Sequence, residues 1–403
     1  MKTIVRIKEH TWNVRLAVDM IHAIVTVSAS KRSSNSKPTF LDFFAGAGLA
    51  TEGLRPYFKP VWANDISPKK AAVFLANHPK RAFRLSPIEK VRGWEVPNAE
   101  LSWASFPCQD LSLAGNMGGI ESERSGLVWQ WLRVMDEMPS RPPLVVAENV
   151  PGLVSAAGGA HYQRLHEALA ERGYRVGAML IDAAHWVPQS RKRVFVVGVN
   201  TDVDISGLAD GGPGWHHPAP VRKAAKLVKD WVWWRLPAPP KRRVDLEDIV
   251  DFDAPVDDED KRLRILSLIP PAHFERLQKA LEEGRRVFPG YRRRRNGRQV
   301  LELRFDGIAG ALRTPSGGSS RQILVIEREG ELHTRLLTVR EAAALMGLRA
   351  SYNIPGSYND GYWAMGDAVV VPVVRHLGRH LLAKLAARTA AEQEKEWKTL
   401  EYA

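Results

Sequence analysis

The sequence predicts an α/β fold: a Rossmann-like, mostly parallel sheet layered with helices, joined to a smaller and mostly irregular or β domain. Three observations carry that prediction. From Thr39 to Asn200, short apolar runs alternate with helical patterns, as parallel βαβ units do. The first run, Thr39 to Phe44, opens directly into the glycine-rich turn Ala45-Gly46-Ala47-Gly48-Leu49 and a helical pattern. From Thr201 to about Thr334 the alternation stops, and the chain becomes rich in Pro, Trp and Arg.

The division expected is an N-terminal extension and linker (1–38), an α/β domain (39–200), a second domain (201–334) and a C-terminal segment (335–403). A chain of 403 residues with 44% apolar content and 13 Trp can bury a large core. In the extension, Arg15, Asp19 and His22 interrupt every long apolar stretch, which argues against a membrane span or signal peptide, and a cytoplasmic location is expected. Met20 is an alternative start, and Lys31 to Pro38 reads as a polar linker. Lys and Arg exceed Asp and Glu by 58 to 45, for a net charge of +13 and a pI near 9.8; such a surface favours a polyanionic partner.

Taken in order, the first strand and its glycine turn need small residues for backbone reasons alone, so they are weak evidence by themselves. Asp65, which follows Val61-Trp62-Ala63 about twenty residues on, strengthens them, because Rossmann-like sites place an acid there for a ribose hydroxyl. The pair points to an adenosyl cofactor and leaves NAD and S-adenosylmethionine both open. Leu101 to Ala104 reads as a strand delivering Ser105-Phe106-Pro107-Cys108-Gln109-Asp110 to the carboxyl edge of the sheet, where open α/β folds bind ligands. Cys108 is the single cysteine, so no internal disulfide forms, and its placement makes it a candidate nucleophile. Leu144 to Ala147 ends likewise in Glu148-Asn149-Val150, which presents a carboxylate at the same edge. His161 to Arg172 reads as a helix, while Tyr174 to Ile181 and Val194 to Val199 read as strands flanking Gln189-Ser190-Arg191-Lys192-Arg193. Thr338 to Leu348 is a helix with a capping box, Thr338 and Glu341, and Val369 to Leu385 is another with Pro372 in its first turn.

These residues resemble the cytosine-C5 DNA methyltransferases, S-adenosylmethionine-dependent enzymes of bacterial or phage type. Six motifs stand in family order: Phe40 to Gly48, Phe106 to Gln109, Glu148 to Val150, Gln189 to Arg193, Arg335 to Glu341 and Met365 to Pro372. Three positions depart from the family. Ala104-Ser105-Phe106 stands where glycines usually precede Pro-Cys, the carboxylate after the third strand is replaced near Ser86, and Asp367 stands where Asn is common.

The resemblance implies a Rossmann-like catalytic methyltransferase domain (39–200) that the C-terminal segment (335–403) returns to complete, a target-recognition domain (201–334), S-adenosylmethionine as cofactor and double-stranded DNA as substrate. It also implies a monomer that shares its site with any cognate restriction endonuclease without a stable complex. It assigns catalysis to Cys108, Glu148, Arg191 and Arg193, with Cys108 attacking C6 of a flipped cytosine, Glu148 holding the N3 edge and the arginines contacting O2 or a nearby phosphate or thiol; Asn149 would fix the loop presenting Glu148. Cofactor contacts fall to Phe44, Ala45, Gly46, Ala47, Gly48, Leu49, Asp65, Ile66, Ser86, Pro107, Asp367 and Ala368. DNA contacts fall to Gln109, Ser112, Arg292, Arg293, Arg294, Arg295, Arg313, Ser316, Gly317, Gly318, Ser319 and Arg321, the arginine run on phosphates and the 313–321 stretch on base edges. Three rivals are weaker. An RNA cytosine-C5 methyltransferase on this scaffold would have a reduced recognition domain and extra cysteines, a silent S-adenosylmethionine-sensing DNA-binding regulator would not keep Cys108, Glu148 and Arg193, and an NAD dehydrogenase explains only the glycine turn.

Overall fold

The computed structural model describes residues 36–107, 126–314 and 321–401. Cys108, Gln109, Ser112, Ser316, Gly317, Gly318 and Ser319 lie outside the described residues, as does most of the N-terminal extension.

Seven strands form the main sheet: β1 (Thr39–Phe43), β2 (Lys59–Asp65), β3 (Phe83–Leu85), β4 (Leu101–Ala104), β5 (Leu144–Asn149), β6 (Tyr174–Asp182) and β7 (Lys192–Asn200). Their order is β3-β2-β1-β4-β5-β7-β6. The first five run parallel, and helical segments connect each of them to the next in the chain. β7 runs antiparallel to both β5 and β6. The departure from an all-parallel sheet follows from length: only Ala183 to Arg191 separates β6 from β7, too short for a crossover helix and sufficient for a reversal. The chain leaves β1 for β2 and β3, then returns to β4 on the other side of β1, and this switch opens a crevice beyond the carboxyl ends of β1 and β4.

Helix Leu49–Leu54 is buried along its whole length, and Gly53 lets the helix Val371–Leu377 approach it, since a Cβ there would lie 2.6 Å from Val374. Helix Pro68–Asn77 is capped by Ser67 with Pro68 at its first position. Thr338 and Glu341 form the expected capping box on helix Val339–Leu345. The single helix expected from Val369 is instead two, Val371–Leu377 and Ala383–Glu401, joined by the π-turn Gly378–Leu382. Gly378 packs on the Tyr57 ring there, at a spacing that leaves no room for a side chain.

The composition change at Thr201 does not coincide with the start of a second core. Val203, Leu208, Val232, Trp234, Leu236 and Leu246 are buried in the same cluster as Phe40 and Leu101. Two short strands, β8 (Ala209–Asp210) and β9 (Trp233–Trp234), pair there, and the Trp234 indole donates to Val197 O (3.0 Å). Trp-rich sequence is thus spent on covering the main sheet. A distinct core, including Leu277, Phe288, Leu301 and Val325, forms beneath an antiparallel sheet of β10 (Val287–Arg295), β11 (Arg298–Leu303), β12 (Gln322–Arg328) and β13 (Glu331–Leu336), ordered β11-β10-β12-β13. No helix among the described residues is long and apolar enough to cross a membrane.

Candidate active site

The crevice at the switch point is a cavity of about 500 Å³, lined from the ends of β1, β2, β4, β5 and β7 and by the helix Tyr358–Asp367. Every residue assigned to the cofactor lines it except Gly48. Gly46 takes φ +55 and a Cβ there would meet nothing nearer than Lys70 Cδ at 3.8 Å, so that position opens to the cavity. Gly48, at φ +82, faces the other way: a Cβ would lie 2.5 Å from the His78 ring. Behind the turn, the Tyr352 hydroxyl donates to Ala47 O (2.6 Å), and His78 Nε2 lies 3.0 Å from the same hydroxyl. With the tyrosine proton already given to the carbonyl, the histidine must donate, and burial pulls its pKa down to about 4, which keeps the ring neutral. The glycine turn is therefore braced by the C-terminal segment.

Asp65 accepts from Gly46 N (2.9 Å) through Oδ2 and from Ser67 N (2.8 Å) through Oδ1. Each oxygen keeps a lone pair for a ligand hydroxyl. Asn64 donates to Ser86 O (2.7 Å) and so holds the end of β3 against the cavity. Exposed apolar side chains, Ile66 and Trp363, flank the opening. Asp42, in the first strand, also lines the cavity. Burial, with the Asp65 charge, raises its pKa to about 7 against the Thr51 hydrogen bond, and its Oδ1 has no partner among the described residues. These features fit a ligand with a sugar diol and cationic groups.

On the opposite wall stands Glu148, almost wholly buried, with Oε1 3.1 Å from Arg193 Nε. Burial raises its pKa, and the charges of Arg193 and Arg191 and a hydrogen bond from Ser105 oppose that rise. Asn149 does not merely fix the Glu148 loop as expected. Its Nδ2 donates to Phe106 O (2.9 Å), tying the end of β5 to the chain just ahead of Cys108, while its Oδ1 accepts from Val150 N (2.8 Å).

Arg191 lies outside the cavity lining and is buried. Its guanidinium donates to Leu312 O (2.7 Å), Gly366 O (2.8 Å) and Ala368 O (2.7 Å). Gln189, also buried, accepts from Leu312 N and donates to Leu345 O. Together they fasten the chain leading to residue 314 and the end of helix Tyr358–Asp367 onto the loop before β7.

The family model for C-5 cytosine-specific DNA methylases matches residues 38–383. The chain belongs to the C-5 cytosine-specific DNA methylase family. Among curated relatives, it is 25% identical over 378 residues to Type II methyltransferase M.MspI of Moraxella sp., covering 92% of this chain and 76% of that one. It is 24% identical over 349 residues to M.Bsp6I of Bacillus sp. (strain RFL6), covering 84% and 96%. In fold it is similar to the crystal structure of S. pombe Dnmt2 methyltransferase, with a TM-score of 0.55 at 16% identity over 85% of this chain and 97% of that one.

In this methylase the departures have structural partners. Asp367, at the family's asparagine position, is paired with Lys70, a cavity residue the sequence did not single out. Ser105 and Thr314 also line the cavity, and the sequence marks only Ser105, as a departure from the family and not as a cavity residue. The arginine run lies in strand β10, so its side chains alternate: Tyr291, Arg293 and Arg295 share a face with Glu302, which Arg295 contacts at 2.6 Å. Arg293 and Arg313 both stack on the Tyr291 ring, at 4.7 and 5.8 Å from its centroid. Arg321 donates to Asn359 Oδ1 (2.5 Å) and lies over the Tyr358 ring.

Proposed function

We propose that this family member is a DNA (cytosine-5-)-methyltransferase that methylates C5 of a cytosine flipped out of a specific duplex site, through covalent attack by Cys108 on C6. The observation that carries the proposal is the convergence at one cavity of Glu148 with its cation Arg193, the glycine turn with Asp65, and Asn149 bonded to the chain that leads into Cys108.

Glu148 faces the N3 edge of the base, and a carboxyl whose pKa is raised by burial is suited to share a proton there, which makes C6 more electrophilic. Arg193 places a permanent donor beside it for the cytosine O2. Arg191 acts at one remove, by holding Leu312, Gly366 and Ala368 in place around the cavity. Asp65 and Asp42 receive hydroxyl and ammonium groups of the cofactor, and the backbone at Gly46 allows its close approach. S-adenosylmethionine, when bound, supplies the electrophilic methyl group.

Base flipping requires a second surface to hold the duplex, and the β10 to β13 unit with Arg293 and Arg313 supplies a basic one that adjoins the cavity through Thr314. The enzyme works as a monomer in a modification role, sharing its site with an endonuclease without a stable complex. Bisulfite sequencing of DNA from a host expressing the chain reads activity and site together. A 5-fluorocytosine duplex is expected to form a covalent adduct that maps to Cys108 and is absent in Cys108→Ala; a noncovalent complex alone contradicts this route.

A further inference from the structure

We propose that Ser105 is a positioning residue for Glu148: held by Trp103, it aims its hydroxyl hydrogen at the Glu148 carboxylate and fixes that group on the cavity wall. β4 and β5 are parallel neighbours with Ala104 opposite Ala147, so the residues that follow, Ser105 and Glu148, emerge side by side. The Ser105 amide donates to Phe43 O (3.2 Å), which sets its backbone. Its hydroxyl oxygen accepts from the fully buried Trp103 indole (2.9 Å). A hydroxyl that accepts on that side has one hydrogen left to give, and Glu148 receives it.

Glycine at this position would leave the Trp103 N–H buried without an acceptor, so the tryptophan and the serine belong together. The other groups facing Glu148 are Arg193 and Arg191 from β7 and the loop before it, and Asp367 from the end of helix Tyr358–Asp367, itself paired with Lys70. Burial favours the protonated carboxyl, while the Ser105 bond favours the carboxylate, so the serine trims the affinity of Glu148 for its proton.

The inference rests on the reading of Glu148 as the group facing cytosine N3, and its test separates the two. The carboxyl resonance of Glu148 is titrated by carbon-13 NMR in the full chain, assigned by its loss in E148Q, and compared between wild type, S105A and S105T. The midpoint is expected to shift upward in S105A and to return in S105T, and the limb of the single-turnover pH profile that Glu148 controls is expected to move with it. If S105A does not fold, the W103F/S105A pair, which leaves no orphaned indole N–H, serves in its place with the same expectation. An unchanged Glu148 midpoint in the folded variant overturns the proposal. Full turnover by E148Q alongside a shifted midpoint in S105A instead removes the role of Glu148 and leaves the positioning intact.

Discussion

Arg193 Nε lies 3.1 Å from Glu148 Oε1, a cation and a carboxylate brought to one cavity wall by the antiparallel pairing of β7 with β5. Both side chains are mostly withdrawn from water, and the Arg193 guanidinium opposes the rise that burial gives the Glu148 pKa.

Removing either member is therefore expected to act on the chemical step. Glu148→Gln or Arg193→Ala should lower single-turnover methylation by about 10²- to 10⁴-fold, the usual range for a positioned proton donor or its partner, with S-adenosylmethionine affinity by calorimetry nearly unchanged. Loss of cofactor affinity with normal turnover at saturation would show that the pair serves the wrong ligand.

Arg191 should behave differently, because it bonds three backbone carbonyls from distant parts of the chain. Arg191→Ala leaves these acceptors buried without that donor and should cost at least about 3 kcal/mol in urea unfolding. Arg191→Lys should recover little, since one ammonium cannot reproduce the planar fork. Wild-type stability combined with defective turnover would instead place Arg191 in direct contact with the base.

The two glycines of the turn should separate cleanly. Gly48→Ala drives a Cβ to 2.5 Å from His78 and is expected to lower stability by about 1–3 kcal/mol, through strain and overpacking. Gly46→Ala faces open cavity and should cost about 1 kcal/mol of left-handed backbone strain, with its larger effect on S-adenosylmethionine binding. Thermal melts with and without cofactor distinguish them, and equal losses of stability for both would refute the assignment of facings.

The motifs at strand ends were legible because each pairs a periodic apolar run with a residue that the sheet must deliver to one edge; Asp65 and Glu148 are placed by local sequence alone. The brace Tyr352 to Ala47 was not legible, because its partners are 305 residues apart and neither has unusual neighbours in the chain. Composition places the Trp231 to Trp234 run in the second domain, yet Val232 and Trp234 complete the main core. Gly177 had given no warning of that contact, although a Cβ there would sit 1.9 Å from Val232 O. Lys70 could have been suspected from Asp367, since an acid in an asparagine's place calls for a cation.

Asp42 should make stability depend on pH. Its pKa is raised by burial from 3.8 to about 7, so the folded state holds a proton that the unfolded state has already lost. Stability from this group is full below about pH 4 and declines as pH rises towards 7. Asp42→Asn, which keeps the shape and removes the charge, should flatten urea-midpoint curves across that window and leave the variant more stable than wild type at pH 8. Parallel curves for the two proteins would mean that Asp42 is ionised in the fold throughout.

The basic strand and the segment beyond it should divide positioning from reading. Arg293 and Arg295 share one face of β10, so Arg293→Gln with Arg295→Gln should weaken binding to cognate and scrambled duplexes alike and reduce the slope of log K against log salt by about 0.9 per lost phosphate contact. Arg292→Gln should do less, because Arg292 lies on the opposite face, that of Leu301 and Leu303. Arg313, stacked on Tyr291 next to Thr314 at the cavity, should instead cost about 1–3 kcal/mol on the cognate site selectively when changed to Gln, if it makes a bidentate base contact. Titrations of both duplexes at several salt concentrations read all three outcomes. A cognate-only loss with an unchanged salt slope in the Arg293 and Arg295 variant would reverse the two assignments.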